Sequence, residues 1–377
     1  MPKITYVIPC YNMEQWLPVA VESCLWQSDP DIEVLIVNDG SKDGSAKVAD
    51  LYAQQDDRVR VIHQENKGLG ATRQVGQDNA KGEYVTWLDA DDFLDRDATK
   101  NLYAVAKRDG VDAVCGNAVV FSDKTFNTRK YFHHPEAANL NFATAPRYWK
   151  SKVVWRWIYR LETLKRLGVQ HAHYKMGQDV CFNFLVLPNL NGFSQCPSFF
   201  YYFRQDHKSG ALSMEVMMDH QLKHFKSAIR PLVASGDYKP LVKYLQENFQ
   251  RDTKKLAKRI PAEGDQYKEV WLEMGLDLFS DLKTEWFREE ALAPEVQCDK
   301  NFVPLAIALC QGDKTTAMSI FNSYIPKPKP LTAPLKQNKQ GTFHSLRRKL
   351  KSYIKPLSFM ARSRLRNLEK LAAKRLG

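Results

Sequence analysis

Glu83-Tyr-Val-Thr-Trp-Leu-Asp-Ala-Asp-Asp-Phe93 decides the fold. A short apolar run rich in strand-forming residues delivers three carboxylates, Asp89, Asp91 and Asp92, at its carboxyl end. Such a run, bounded by turn-forming residues, reads as a buried strand. Working outward, similar runs lie at 4–8, 33–37, 59–63 and 113–119. Between them, helical spacing appears at 14–27, 45–54, 71–79 and 96–107. Strands alternating with helices of about 10–15 residues predict βαβ units and a mostly parallel sheet in an α/β fold. Ligands of such sheets bind beyond the carboxyl ends of the strands. The loops expected there are 9–12, 38–44, 65–70 and 89–92, all polar or glycine-bearing.

Beyond residue 120 the pattern is less regular. Residues 149–167 read as a basic-aromatic helix, 178–187 as a helix and 199–204 (FFYYFR) as a strand. Residues 215–323 read as all helical. Pro326-Lys-Pro-Lys-Pro330 then opens a stiff linker. The expected division is 1–214, an α/β domain; 215–325, a helical region; 326–341, a linker; and 342–377, a basic amphipathic tail.

A chain of 377 residues with 44% hydrophobic and 26% charged residues is a folded protein of two or three domains. No apolar run approaches the roughly 18–20 residues that span a bilayer. The N-terminus runs straight into a strand without a basic-then-apolar leader, so export is not expected. Seven scattered cysteines, none in a CxxC pair, argue against a disulfide framework or structural zinc and for a reducing cytoplasm. The net charge is +12, and residues 336–377 hold 13 Lys or Arg against the single acid Glu369. The rest is therefore net neutral, which argues against nucleic-acid binding by the body.

Three loops carry chemistry. Carboxylates as close as Asp89, Asp91 and Asp92 repel unless a cation or donors compensate. Their hard oxygens favour Mg²⁺ or Mn²⁺; the alternative is an acidic turn capping a helix. In Val37-Asn-Asp-Gly-Ser-Lys-Asp-Gly-Ser45, Asp39 is a short acceptor for a base imide or ribose hydroxyl, or simply part of an Asx-rich turn. In Asn66-Lys-Gly-Leu-Gly-Ala-Thr-Arg73, the glycines admit close backbone approach and Lys67 and Arg73 can meet phosphate. The full GxGxxG of a dinucleotide site is absent.

These loops, in order with Val7-Ile-Pro-Cys-Tyr-Asn12, resemble the family 2 glycosyltransferases of GT-A fold, over about residues 3–214. The resemblance implies inverting transfer of a sugar from a nucleotide diphosphate, in bacterial members often for capsule or lipopolysaccharide. It places Pro9, Tyr11, Asn12 and Asp39 around the base and ribose. Asp91 becomes the ligand of Mn²⁺ or Mg²⁺, and Asp89 lies nearer the nucleotide sugar. The family's later acidic site, usually Glu-Asp, matches Gln178-Asp179, with Gln178 in place of Glu and Asp179 as the base. As an alternative, Asp179 is a helix N-terminal acid favoured by the dipole. The segment 202–213 resembles a loop that closes over the diphosphate. Arg204 is its phosphate contact, and His207 is either a further metal ligand or a solvated loop histidine.

The chemistry needs these types. A divalent ion neutralises the departing diphosphate, and a carboxylate must take the proton of an attacking hydroxyl. Inversion requires one base, whereas retention by double displacement requires a nucleophilic carboxylate too. The rival readings are a nucleotidyltransferase, which lacks its glycine-rich fingerprint here, and an inactive GT-A fold acting as a membrane-tethered interaction protein. In 342–377, Leu346, Leu350, Leu357, Leu365, Leu368 and Leu371 line one face and Lys or Arg the other. This predicts an interfacial helix on the anionic inner face of the cell membrane, with a partner-docking helix or a disordered tail as alternatives. The helical region 215–325 is expected to complete the acceptor cleft or to mediate homo-oligomerisation.

Overall fold

A computed structural model describes residues 1–149, 152–206, 213–288, 296 and 298–326, the side chains of 219–222 excepted. Among the described residues the strands are β1 (Ile4–Cys10), β2 (Ile32–Asp39), β3 (Val59–Gln64), β4 (Tyr84–Trp87), β5 (Phe93–Leu94), β6 (Ala113–Phe121), β7 (Thr128–Phe132), β8 (Ala137–Leu140), β9 (Trp157–Arg160) and β10 (Phe193–Arg204). They form one sheet in the order β3-β2-β1-β4-β9-β6-β10-β5, with β7 beside β6 and β8 beside β10. The parallel half is β3-β2-β1-β4, and β6 and β10 are also parallel. β9 runs antiparallel to both β4 and β6, so the sheet is mixed rather than mostly parallel.

Residues 149–167, read from sequence as one helix, contain that strand. Trp157, Ile158 and Tyr159 are wholly buried in β9. Among the described residues of this range, only α5 (Leu161–Leu167) is helical. The strand-forming aromatic and β-branched side chains win here because they fill a slot between two sheet halves that local spacing does not reveal.

The crossover helices are α1 (Leu17–Leu25), α2 (Ser45–Ala53), α3 (Leu69–Asn79), α4 (Ala98–Asp109) and, after α5, α6 (Gln178–Val186). The helical region adds α7 (Met214–Ser235), α8 (Tyr238–Leu245), α9 (Arg251–Glu263), α10 (Gln266–Phe279), α11 (Phe302–Gln311) and α12 (Lys314–Ser323). Alternate residues of β1 divide between two cores. Ile4, Tyr6 and Ile8 pack with Val21 of α1 and Leu102 of α4. Val7 joins Trp87, Phe182 and Phe184 in a core that continues through Tyr244 and Trp271 to Phe321. The helical region thus shares a core with one sheet face; Phe184 and Tyr244 rings lie 4.5 Å apart. None of the seven cysteines is paired. Among the described residues no helix is long and apolar enough to cross a membrane.

Candidate active site

The carboxyl ends of β1, β2 and β4 come level by register: Cys10 lies opposite Asn38, and Trp87 opposite Val7. The loops that follow are tied to one another. Asn12 takes a left-handed backbone, φ 55°, which turns its side chain back onto the second loop. Its Oδ1 accepts the Lys42 N–H at 2.8 Å, and its own N–H donates to Ser41 Oγ at 3.0 Å. Pro9 is buried within β1, while the Tyr11 ring beyond it stays 42% exposed.

Asp39 is buried at the end of β2. It accepts the N–H groups of Lys67 at 2.8 Å and Gly68 at 2.9 Å, and Gln64 Nε2 at 2.7 Å. Three donors occupy a carboxylate with about four lone-pair sites. Asp39 therefore anchors the third loop, where Gly68 needs its positive φ of 84° to start α3. The Lys67 side chain is left exposed.

Arg73, one turn into α3, is only 2% exposed, so its side chain does not stand at a phosphate-facing surface. Its guanidinium bridges two carboxylates: Nη1 pairs with Asp179 Oδ1, and Nη2 with Asp89 Oδ1 at 3.1 Å. Its Nε is buried without a partner, as are both ring nitrogens of His171. That imidazole stacks on Phe182 at 4.2 Å; burial, with Arg73 nearby, holds its pKa far down and keeps it neutral.

Asp179 stands in the first turn of α6, where Gly177 caps with φ 78°. Its Oδ2 accepts the Val154 N–H at 3.2 Å. Gln178 beside it is buried. Arg73 thus brings together the expected base and the expected metal motif, from positions 106 and 16 residues away along the chain.

Desolvation raises the Asp89 pKa to about 6 against the pull of Arg73, and the charges of Asp91 and Asp179 add to the rise. Asp92 is buried and shifted up by the same causes, burial first and then Asp89 and Asp91. Arg204, at the end of β10, packs beneath the motif. Its Nε donates to the Asp91 carbonyl at 2.6 Å, it pairs with Asp123, and it lies over the rings of Trp16 at 4.1 Å and Phe121 at 4.6 Å. His207 lies outside the described residues.

Sequence reading missed Tyr201 and Val154. Tyr201 sits in a run read only as a strand, yet its hydroxyl meets the motif at Asp89 and Asp92.

Residues 5–177 match the model of glycosyl transferase family 2. The chain is 33% identical over 178 residues to the uncharacterized glycosyltransferase EpsJ of Bacillus subtilis, covering 45% of this chain and 51% of EpsJ. It is 37% identical over 131 residues to the glycosyltransferase GlyA of Streptococcus pneumoniae, covering 35% of this chain and 18% of GlyA. The chain thus spans about half the length of these relatives, or less. In three dimensions it superposes on S. aureus TarS residues 1–349 in complex with UDP-GlcNAc, with TM-score 0.71 and 18% identity, over 85% of this chain and 91% of that one. The strand order, the loop-borne acids and the match over 5–177 agree: residues 5–177 resemble a family 2 glycosyl transferase domain, in a fold shared with TarS.

Proposed function

We propose that the chain is a metal-dependent, inverting glycosyltransferase. Its donor is a nucleotide-diphosphate sugar, a UDP-sugar by analogy with the UDP-GlcNAc and UDP held by TarS. A hexosyl or hexosaminyl group passes to a hydroxyl of a glycan or lipid-linked glycan during surface-polysaccharide synthesis. The observation that carries the reading is the Arg73 bridge, which holds Asp179 and Asp89 on one guanidinium.

The residues fit a divalent cation. Among the described residues no three His, Cys, Asp or Glu side chains suffice to hold a metal alone. A cation shared with a diphosphate needs fewer protein ligands, since such ions keep waters and take phosphate oxygens. Beyond the effect of burial, Asp89, Asp91 and Asp92 lie close enough for their charges to raise the pKa of Asp89 and Asp92, a repulsion such an ion relieves. Asp91 would hold Mn²⁺ or Mg²⁺ with the diphosphate. When bound, the ion neutralises charge on the leaving group.

The chain's own residues do the rest. Pro9, Tyr11, Asn12 and Asp39 form the end of the cleft assigned to base and ribose. Lys67, exposed on the third loop, reaches for phosphate. Asp179 takes the proton of the attacking hydroxyl, and Arg73 holds it in place. Attack opposite the leaving group needs no second nucleophile, so the anomeric centre inverts. The tail 342–377, outside the described residues, is assigned to the anionic inner face of the cell membrane.

Thermal shift with a panel of sugar nucleotides, with and without Mn²⁺, followed by mass spectrometry of products, tests this reading. Metal-dependent stabilisation by one UDP-sugar and a glycosylated product are expected. Stabilisation by none of the panel would overturn it.

A further inference from the structure

The third acid of the motif does work that neither base nor metal ligand explains. Asp92 is 1% exposed, and both its oxygens are engaged by β10. Oδ2 accepts the Tyr201 hydroxyl at 2.7 Å, and Oδ1 accepts the Arg204 N–H at 2.7 Å. The carboxylate therefore turns away from the cleft and into the fold. Tyr201 is wholly buried, and its hydroxyl also accepts the Asp89 N–H at 3.1 Å. The Asp91 carbonyl accepts Arg204 Nε at 2.6 Å, and the Asp92 N–H closes a turn onto the Asp89 carbonyl at 2.9 Å. The motif is thus fastened at the backbone of Asp89 and Asp91 and at the Asp92 carboxylate by two residues three apart on one strand.

The Tyr201 ring is fixed in turn. Trp155 stacks on it at 4.1 Å with an interplanar angle of 16°. The residue before Trp155 is Val154, whose N–H donates to Asp179. One short segment therefore touches both the expected base and the tyrosine that holds the motif.

We propose that Tyr201 and Asp92 are positioning residues: the Tyr201 hydroxyl, seated on Asp92, sets the backbone of Asp89–Asp91 in the geometry that lets Asp91 share a divalent cation with a diphosphate. This rests on the proposed metal site. Both residues are buried, so in this proposal they act through the motif backbone. Loss of the hydroxyl leaves the buried Asp92 oxygen and the Asp89 N–H without their partner, and the motif relaxes.

The test is calorimetry of UDP binding to the full chain, in Mn²⁺ and in chelator, for wild type, Tyr201→Phe and Asp92→Asn. Wild type should bind more tightly in Mn²⁺. Tyr201→Phe should lose roughly tenfold or more of the affinity in Mn²⁺, the size of one hydrogen bond to a charged group. Its affinity in chelator should stay within about twofold of wild type. A loss of packing alone would lower both affinities alike, and that result overturns the proposal. If Tyr201→Phe does not fold, Asp92→Asn, which keeps the volume, carries the same expectation. Metal-dependent binding by wild type that either folded variant retains in full overturns the positioning role alone. Metal-independent binding by wild type overturns the metal reading and this proposal with it.

Discussion

Arg73, buried in α3, forms an ion pair with the partly buried Asp179 of α6, and the same guanidinium holds Asp89 at 3.1 Å. One cation thus sets the spacing between the base and the metal motif. Removing one partner of a fully buried pair costs about 3–5 kcal/mol, an upper bound here because the two carboxylates are partly exposed. Arg73→Met should lower the unfolding free energy by roughly 1–3 kcal/mol in urea titration and abolish turnover. Arg73→Lys, which offers a point charge where Arg offers a fork, should fall between the two. A loss below about 1 kcal/mol for Arg73→Met would show that the bridge does not organise the site.

Asp179→Asn keeps size and most hydrogen bonding but cannot take a proton from the acceptor. Transfer should fall by roughly 10²–10⁴-fold, the usual worth of a positioned general base. UDP affinity should stay near wild type, because Arg73 retains Asp89. A variant keeping more than about a tenth of wild-type turnover would remove Asp179 from the mechanism.

Asp91→Ala should uncouple UDP from the metal. Titration of the variant should give the same UDP affinity with and without Mn²⁺, whereas wild type gains affinity in the metal. Equal metal dependence in both proteins would withdraw Asp91 as the ligand.

The raised pKa of Asp89, about 6, gives a pH signature with a fixed sign. The folded chain holds this proton more tightly than the unfolded one, so Asp89 lowers stability as pH rises from about 4 to 6. Ionised Asp89 adds negative charge beside the cation that Asp91 would share with the diphosphate, so affinity for Mn²⁺ with UDP should rise as pH increases through about 6. Asp89→Asn should flatten that rise. A wild-type affinity that falls as pH increases would contradict the assignment.

The four loops of the cleft were legible because each closes a short βα repeat, so local spacing and loop polarity find it. The exact partners were not. Arg73 was legible as a cation but not as a buried one, since Asp89 and Asp179 meet it only in three dimensions. Tyr201 was hidden in an aromatic strand for the same reason, its partners lying 112 and 109 residues away. The strand β9 was lost to a helical reading because its pairing with β4 and β6 is invisible to periodicity. Asp39 was read as a ligand acceptor, yet its first task in the fold is to cap the third loop.

The charge of residues 336–377 makes membrane attachment separable from catalysis. Truncation after about residue 335 should leave UDP binding intact and abolish pelleting with anionic vesicles. Full-length binding should weaken as salt rises, because screening shortens the reach of surface charge. Leu346→Ser, Leu350→Ser and Leu357→Ser together should remove the part that salt leaves. Full-length protein that ignores anionic vesicles at low salt would assign the tail another role.

The central claim is single-step inversion driven by one base, and the anomer first released from the donor reads it without knowledge of the acceptor. Full-length protein with Mn²⁺ and the UDP-sugar selected by thermal shift should turn the donor over slowly with water as acceptor, followed by proton NMR. An α-linked donor should release the β-sugar first, ahead of mutarotation, and Asp179→Asn should suppress that signal. First release of the α-sugar would contradict the account, because retention requires a nucleophile that the proposed mechanism does not contain.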